Sequence, residues 1–236
     1  MKPPLLPPPF EARAVTGADS AFAIACAEAS GGAGDGVLFW HRREDRLDCA
    51  VVTEPDGTDA HNATLALVAL VGLGDALGVL VQPTLPVTFA WPDRLLVDGA
   101  IAGGMRFRRI EGTAKIVLGI EIAIRGGPDP GRDPTRTTLH DEGCGDIVMM
   151  DLLEAFARHF LSWVHRWLNE GFEPASLSWQ SRAYRKGAPV SITSGGETHA
   201  GGFAGLDGTG GLMIDGKGGR VTLPLEAALR APTWLG

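Results

Sequence analysis

Lysine is scarce in this 236-residue chain. Only Lys2, Lys115, Lys186 and Lys217 occur, so chemistry that needs an amine has few places to find one. A basic excess is missing too. The formal net charge is -7, and a surface that displaces counterions from nucleic acid needs the opposite sign, which argues against general nucleic-acid binding. Cys26, Cys49 and Cys144 are odd in number and far apart, with no C-x-x-C and no Cys/His cluster at zinc spacing. That excludes a disulfide framework and leaves no legible metal site; Cys26 and Cys49 sit in apolar patterns as small buried hydrophobes. Long apolar runs are lacking as well. The longest, Leu65 to Val81, is broken by Gly72, Gly74, Asp75 and Gly78 and falls short of the roughly 20 apolar residues of a membrane span. The opening MKPPLLPPPF has neither the apolar core nor the cleavage site of a secretory signal, so a cytoplasmic protein without a membrane segment is expected.

What is present is enough apolar material, 44% of residues, for a sizeable core in one ordinary domain plus a small one. Asp19-Ser20 offers a helix N-cap to the alanine-rich run Ala21 to Ala29. Val37 to Trp40 and Leu47 to Val52 read as a strand hairpin about the turn His41-Arg42-Arg43-Glu44-Asp45-Arg46. Three arginines in one turn are usually a solvated face; Arg42, Arg43 and Arg46 are the candidates for anion binding. Leu65 to Leu80 is apolar nearly all round, as a helix packed on a sheet would be. Thr88 to Trp91, Leu95 to Val97, Ile101 to Phe107 and Ile116 to Ile124 follow as strands. Centring the last hairpin on Glu111-Gly112 places Ala102 opposite Glu121.

Arg125 to Arg136, rich in Gly, Pro and Asp, reads as a loop. From Asp146, apolar residues at Met149, Leu152, Leu153, Phe156, Phe160, Trp163, Val164 and Trp167 keep helical spacing until Gly171 ends it. Beyond Lys186 come short β-type runs, Val190 to Thr193, His199 to Leu206, Gly211 to Ile214 and Arg220 to Leu223, separated by glycine; they predict a small appended barrel. The chain is therefore α+β, with a mixed or antiparallel sheet and packed helices over residues 1–186 and a β unit over 187–236.

Several of these stretches resemble, in order, the biotin/lipoate protein ligase family. Trp91-Pro92-Asp93 with Leu95 resembles its Lys-Trp-Pro-Asn-Asp-Leu, and Ala100-Ile101-Ala102-Gly103 its Lys-hydrophobe-Ala/Ser-Gly. Val117-Leu118-Gly119-Ile120-Glu121 resembles its Gly-Ile-Asn strand, and Thr138-Leu139 with the long helix its Ser/Thr-Leu element. Trp179, Gly187 to Ile192 and Gly205 to Leu212 resemble the C-terminal SH3-like barrel of biotin protein ligases. The resemblance implies that fold over roughly residues 15 to 225. It also implies a two-step chemistry: biotin or lipoate reacts with ATP to an acyl-adenylate, and a carrier-domain lysine takes the acyl group. Such chemistry needs fixed positive charge and donors aimed at developing negative charge.

The departures fall where that chemistry would be. Ala90 and Ala100 stand at the two lysine positions, Arg94 at the Asp after Trp-Pro-Asn, and Glu121 at the Asn. Only HRREDR, without glycine, is available for the Gly/Arg-rich loop. Lys115 lies roughly 25 Å along the hairpin from the Ala100 position at about 3.3 Å per residue, too far to substitute. Loss of one well-placed donor costs about 2.7 to 4 kcal/mol, roughly 10²- to 10³-fold in rate, and several are missing together. Cys144 invites comparison with a branch that transfers acyl groups through a thioester, but it stands where the ligase pattern has an ordinary hydrophobic residue.

The pocket candidates are Trp91, Arg94, Ala100, Gly103, Gly119 and Glu121, with Arg94 and Glu121 either paired with each other or lining a pocket for a polar ligand. The expected function is a ligase-like protein with a degenerate site that binds a small molecule or a carrier domain in the former substrate cleft. The alternatives are a ligase or acyltransferase working with relocated groups, in which case biotin, lipoate or ATP enters, and a non-catalytic scaffold. A homodimer formed by sheet edges is compatible with the family. A DNA-binding repressor is not expected, since the 18 or so residues before the first helix cannot hold a winged-helix domain.

Overall fold

The computed structural model describes residues 2–127, 133–185, 187–194 and 197–235. The stretches VLFWH and RLDCAVVT carry apolar residues at odd and even positions alike. Side chains alternate between the faces of a strand, so both sets are buried only when the sheet has a layer on each side. These stretches, β2 (Val37–His41) and β3 (Arg46–Thr53), lie inside a seven-stranded sheet with β1 (Glu11–Val15), β4 (Val87–Ala90), β5 (Arg94–Val97), β6 (Ala100–Arg109) and β7 (Ile116–Ala123). The order is β1-β2-β3-β7-β6-β5-β4, antiparallel except for the β1–β2 pair.

One face is covered by α1 (Ala21–Ser30), whose Ala21, Ala25, Cys26 and Ala29 pack on Phe39, Ala50, Val52 and Val117. The predicted cap is in place, with the Ser20 hydroxyl accepting from the Ala23 N–H. The other face carries α2 (Asp59–Ala63), α3 (Leu65–Gly78), α4 (Met149–Glu170) and α5 (Glu173–Ser181). Helix α3 is apolar all round because α4 closes over it. At Gly72 an added Cβ would stand 3.0 Å from the Phe160 Cα, so the glycine permits the close crossing. Asp59–Gly78 is long and apolar enough to cross a membrane by length and composition, but 83% of that window is buried here, as befits a core helix. Its one acidic side chain past the first turn, Asp75, accepts from Trp163 Nε1 at 2.6 Å and pairs with Arg182 at 2.9 Å.

The structure departs from the sequence reading in several places. Helix α4 starts at Met149 rather than Asp146, because Val148 is extended (φ -99°, ψ 137°) and 139–147 runs through turns. The β6–β7 register pairs Gly104, not Ala102, with Glu121. The hairpin closes with the Ile110 N–H bonded to the Lys115 carbonyl around the four-residue loop Glu111 to Ala114, not around a two-residue turn. The centre of the expected 125–136 loop, residues 128–132, and Lys186 lie outside the described residues.

The C-terminal strands β8 (Pro189–Ser194), β9 (Glu197–Leu206), β10 (Leu212–Gly216) and β11 (Gly219–Leu223) form an open antiparallel sheet in the order β11-β10-β9-β8. The expected closed barrel is not formed among the described residues. Instead of closing on itself, the sheet puts Leu206, Leu212, Ile214 and Leu223 into the main core, and Trp91 Nε1 donates to the Gly210 carbonyl at 2.9 Å. A short helix α6 (Leu225–Ala228) then leads the chain back to the large sheet.

Candidate functional site

Helix α1 does not cover the whole of its face. Its cover ends at Gly119, where an added Cβ would meet the Phe22 ring at 2.5 Å, and beyond that β7, β6 and β5 floor a cleft. Residues directly opposite in antiparallel pairs project on the same side of the sheet. The register therefore lays a single row across the floor: Asp48, Glu121, Gly104, Arg94 and Ala90. Within it Gly104 offers bare backbone between an acidic and a basic side chain.

Glu121 is held from two diagonals. Arg46 Nη1 lies 2.8 Å from one carboxylate oxygen and Arg106 Nη2 lies 3.4 Å from the other. Arg106 is itself layered between the Phe22 and Trp234 rings, 5.7 Å from each centroid. Beside Glu121, the buried Asp48 carboxylate accepts from the Ala21 N–H at the start of α1 at 3.2 Å. Burial pushes the Asp48 carboxyl above its ordinary value and the Glu121 charge pushes the same way; the Ala21 N–H, His41 and Arg43 oppose them.

Arg94 and Glu121 share the row but do not pair. Arg94 Nε donates to the Thr233 hydroxyl at 2.7 Å and Arg94 Nη2 to the Thr233 carbonyl at 2.8 Å. Gly104 intervenes, and Trp234 lies on it, with Cδ1 2.5 Å and Nε1 2.6 Å from where a glycine Cβ would be. The indole N–H donates to the Met105 carbonyl at 3.0 Å, and Arg136 donates to the Trp234 carbonyl at 2.8 Å. The adjacent Asp93 carboxylate accepts from the backbone N–H of Thr233 at 2.7 Å and from its hydroxyl. Burial raises the Asp93 carboxyl above its ordinary value, against the two Thr233 hydrogen bonds and the Arg94 charge. What remains open beside the indole is a chamber of about 160 Å³, walled by Arg46, Glu121, Ala102, Gly103, Arg136 and Trp234, among others.

A model described as the biotin/lipoate A/B protein ligase family matches residues 6–181. The chain belongs to that family. It is 29% identical over 182 residues, 74% of this chain and 75% of the relative, to a biotin--[acetyl-CoA-carboxylase] ligase from Paracoccus denitrificans. Among solved structures it resembles a biotin protein ligase-like protein of unknown function from a Silicibacter species, with TM-score 0.86, 28% identity, and 97% of this chain and 100% of that one covered. The fold is also that of the biotin protein ligase from Aquifex aeolicus, TM-score 0.79 at 18% identity over 91% and 95% of the two chains.

Set in this ligase-family fold, the sequence candidates separate. Gly103 and Glu121 border the chamber together with Arg46. Gly103 is where β6 presses against β7, since an added Cβ would run into the Glu121 carbonyl oxygen. Ala100 pairs with Val97 at the end of β6 and is not among the chamber walls, which take Ile101 and Ala102 instead. Gly119 lies under Phe22, and Trp91 faces a separate crevice between Phe89, Trp179 and the C-terminal sheet. Arg42 stacks over Trp40, 5.7 Å from the centroid, and neither it nor Arg43 borders the chamber. Cys144 is buried and precedes α4 by several residues. Among the described residues, no three His, Cys, Asp or Glu side chains come together as metal ligands.

Sequence reasoning named Asp93 only within the Trp91-Pro92-Asp93 stretch and Arg106 only in a cluster with Arg108 and Arg109 that is usually a solvated face, and it missed Arg136, Thr233 and Trp234. Thr233 and Trp234 carried only the signal of a lone tryptophan after a proline near the end of the described chain.

Proposed function

We propose that this ligase-family chain no longer makes an acyl-adenylate at ligase-like rates and binds a compact anionic small molecule in the cleft. One observation carries the reading: the charges along the cleft floor are spent on one another and on the chain's own segment. Arg46 and Arg106 are committed to Glu121, and Arg94 to Thr233. Ala90 and Ala100 contribute no charge, and a guanidinium at position 94 cannot ligate a cation as a carboxylate would. Developing negative charge on a transferring group therefore meets, in Arg46, Arg94 and Arg106, guanidinium groups that already have partners.

The ligand class follows from size and sign. A chamber of 160 Å³ is about half the lower end of the ~300–1,000 Å³ typical of ligand pockets. Its charged walls are Asp45, Arg46, Glu121, Arg125 and Arg136, an excess of one positive charge. A small carboxylate suits both features; a full acyl-adenylate, though anionic, is too large for the chamber.

The test is a titration of acetate, malonate and succinate followed by thermal denaturation, beside an assay of pyrophosphate–ATP exchange with biotin or lipoate. A ligand at 100 times its dissociation constant adds about 2.7 kcal/mol of stability. Stabilisation by at least one of the three acids, and exchange at background, are expected. Biotin- or lipoate-dependent exchange at ligase-like rates would overturn the first half of the proposal, and no stabilisation by any acid the second.

A further inference from the structure

We infer that residues 231–235 are a built-in occupant of the cleft and that Trp234 sets the length of ligand the cleft admits. The inference rests on the reading that the cleft binds a ligand, and it names what controls entry. Trp234 is 3% exposed although it belongs to no helix or strand, and α6 ends six residues before it. Its burial is supplied by the cleft.

The seat is specific in four respects. Gly104 alone on the row lacks a side chain, and the indole rests where one would be. The indole N–H has an acceptor in the Met105 carbonyl at 3.0 Å. Asp93, 1% exposed, turns both carboxylate oxygens to Thr233, so a buried acid finds its side-chain donors in this segment. Arg94 and Arg136 grip the Thr233 and Trp234 carbonyls. An unpaired buried carboxylate is costly, so Asp93 and Arg94 give the segment a reason to stay in place.

The consequence is competition. A ligand no larger than the 160 Å³ chamber binds beside the indole, whereas one whose chain or ring continues across Gly104 must displace it. A tethered occupant acts at high effective concentration, and the apparent affinity of a displacing ligand falls by the fraction of time the seat is vacant. Loosening the segment must then strengthen binding of long ligands relative to short ones.

The experiment measures calorimetric affinities of acetate, octanoate, biotin and ATP for the wild-type chain, Trp234→Ala and Thr233→Val. Thr233→Val keeps the volume at position 233 while removing the hydroxyl that joins Asp93 and Arg94, so it carries the test alone if Trp234→Ala fails to fold. Expected is at least tenfold tighter binding of octanoate, biotin or ATP to a variant, with no comparable gain for acetate in Thr233→Val, whose side chain is not a wall of the chamber. No gain for any of the three long probes in any folded variant overturns the inference. Acetate binding to the wild-type chain reports separately on the compact-anion reading, so either idea can fall while the other stands.

Discussion

Asp48 and Glu121 face each other across β3 and β7, two carboxylates in one row. Cross-strand Cβ atoms lie about 5 Å apart, and at an effective dielectric of about 20 two unit charges at that spacing repel by roughly 3 kcal/mol. Arg46 and Arg106 bracket Glu121 and reduce that ceiling, so a coupling of about 1 kcal/mol is expected. The perturbation is a double-mutant cycle of Asp48→Asn and Glu121→Gln, read by urea denaturation. Asparagine keeps an oxygen for the Ala21 N–H and offers its amide to Glu121, so D48N stabilises the wild-type chain at neutral pH. In the E121Q background the repulsion is gone, and the gain from D48N shrinks by that coupling. The pH dependence has a definite sign. Because the folded Asp48 carboxyl is raised above its ordinary value of 3.8, its contribution to stability is fully present below that value and is lost as pH rises through the folded value. The advantage of D48N must therefore appear as pH rises and vanish in acid. Equal D48N effects in both backgrounds within about 0.3 kcal/mol, or a gain that persists in acid, would refute the reasoning.

Two further outcomes follow from the packing. Gly103→Ala forces a Cβ onto the Glu121 carbonyl, and overpacking of this kind costs about 1–3 kcal/mol or more, so the melting temperature should fall by several degrees; an unchanged midpoint would contradict the close approach of β6 to β7. Trp163→Phe removes the 2.6 Å hydrogen bond to Asp75 while Arg182 still neutralises that carboxylate, for a loss of about 1.5–3 kcal/mol in chemical denaturation.

Much of the cleft floor was legible because it is written locally. Strand geometry alternates side chains between faces and so fixes which residues of β7 share one, and the error in the β6–β7 register was two residues, which slides partners along the strand without changing sides. Glu121 therefore keeps its face of the sheet although its partner in β6 is Gly104 rather than Ala102. The misplacement came from the turn: Glu111-Gly112 looks like a two-residue hairpin turn, whereas Gly112, at φ +73°, lies inside a loop of four. Arg94, expected to border the same cavity as Glu121, lines the crevice beside Trp91 instead and is not among the chamber walls. Its separation from Glu121 by a whole strand, two spacings of about 4.8 Å, makes direct pairing difficult, and the intervening glycine gave no sign of what covers it.

The glycines show why the remainder was not legible. Gly104 and Gly119 both strip a side chain from the same face of the sheet, and a sequence read alone allows each to be the floor of a ligand site. At Gly119 the cover is Phe22, brought from the first helix; at Gly104 it is Trp234, brought from 130 residues further along. Neither aromatic follows the periodicity of a neighbouring strand, and the Thr233–Asp93 contact spans 140 residues, so no local pattern encodes it. A glycine in a strand marks a close approach, but only tertiary contacts decide whether what approaches is a ligand or the chain itself. In this protein both approaches come from the chain itself, Phe22 onto Gly119 and Trp234 onto Gly104.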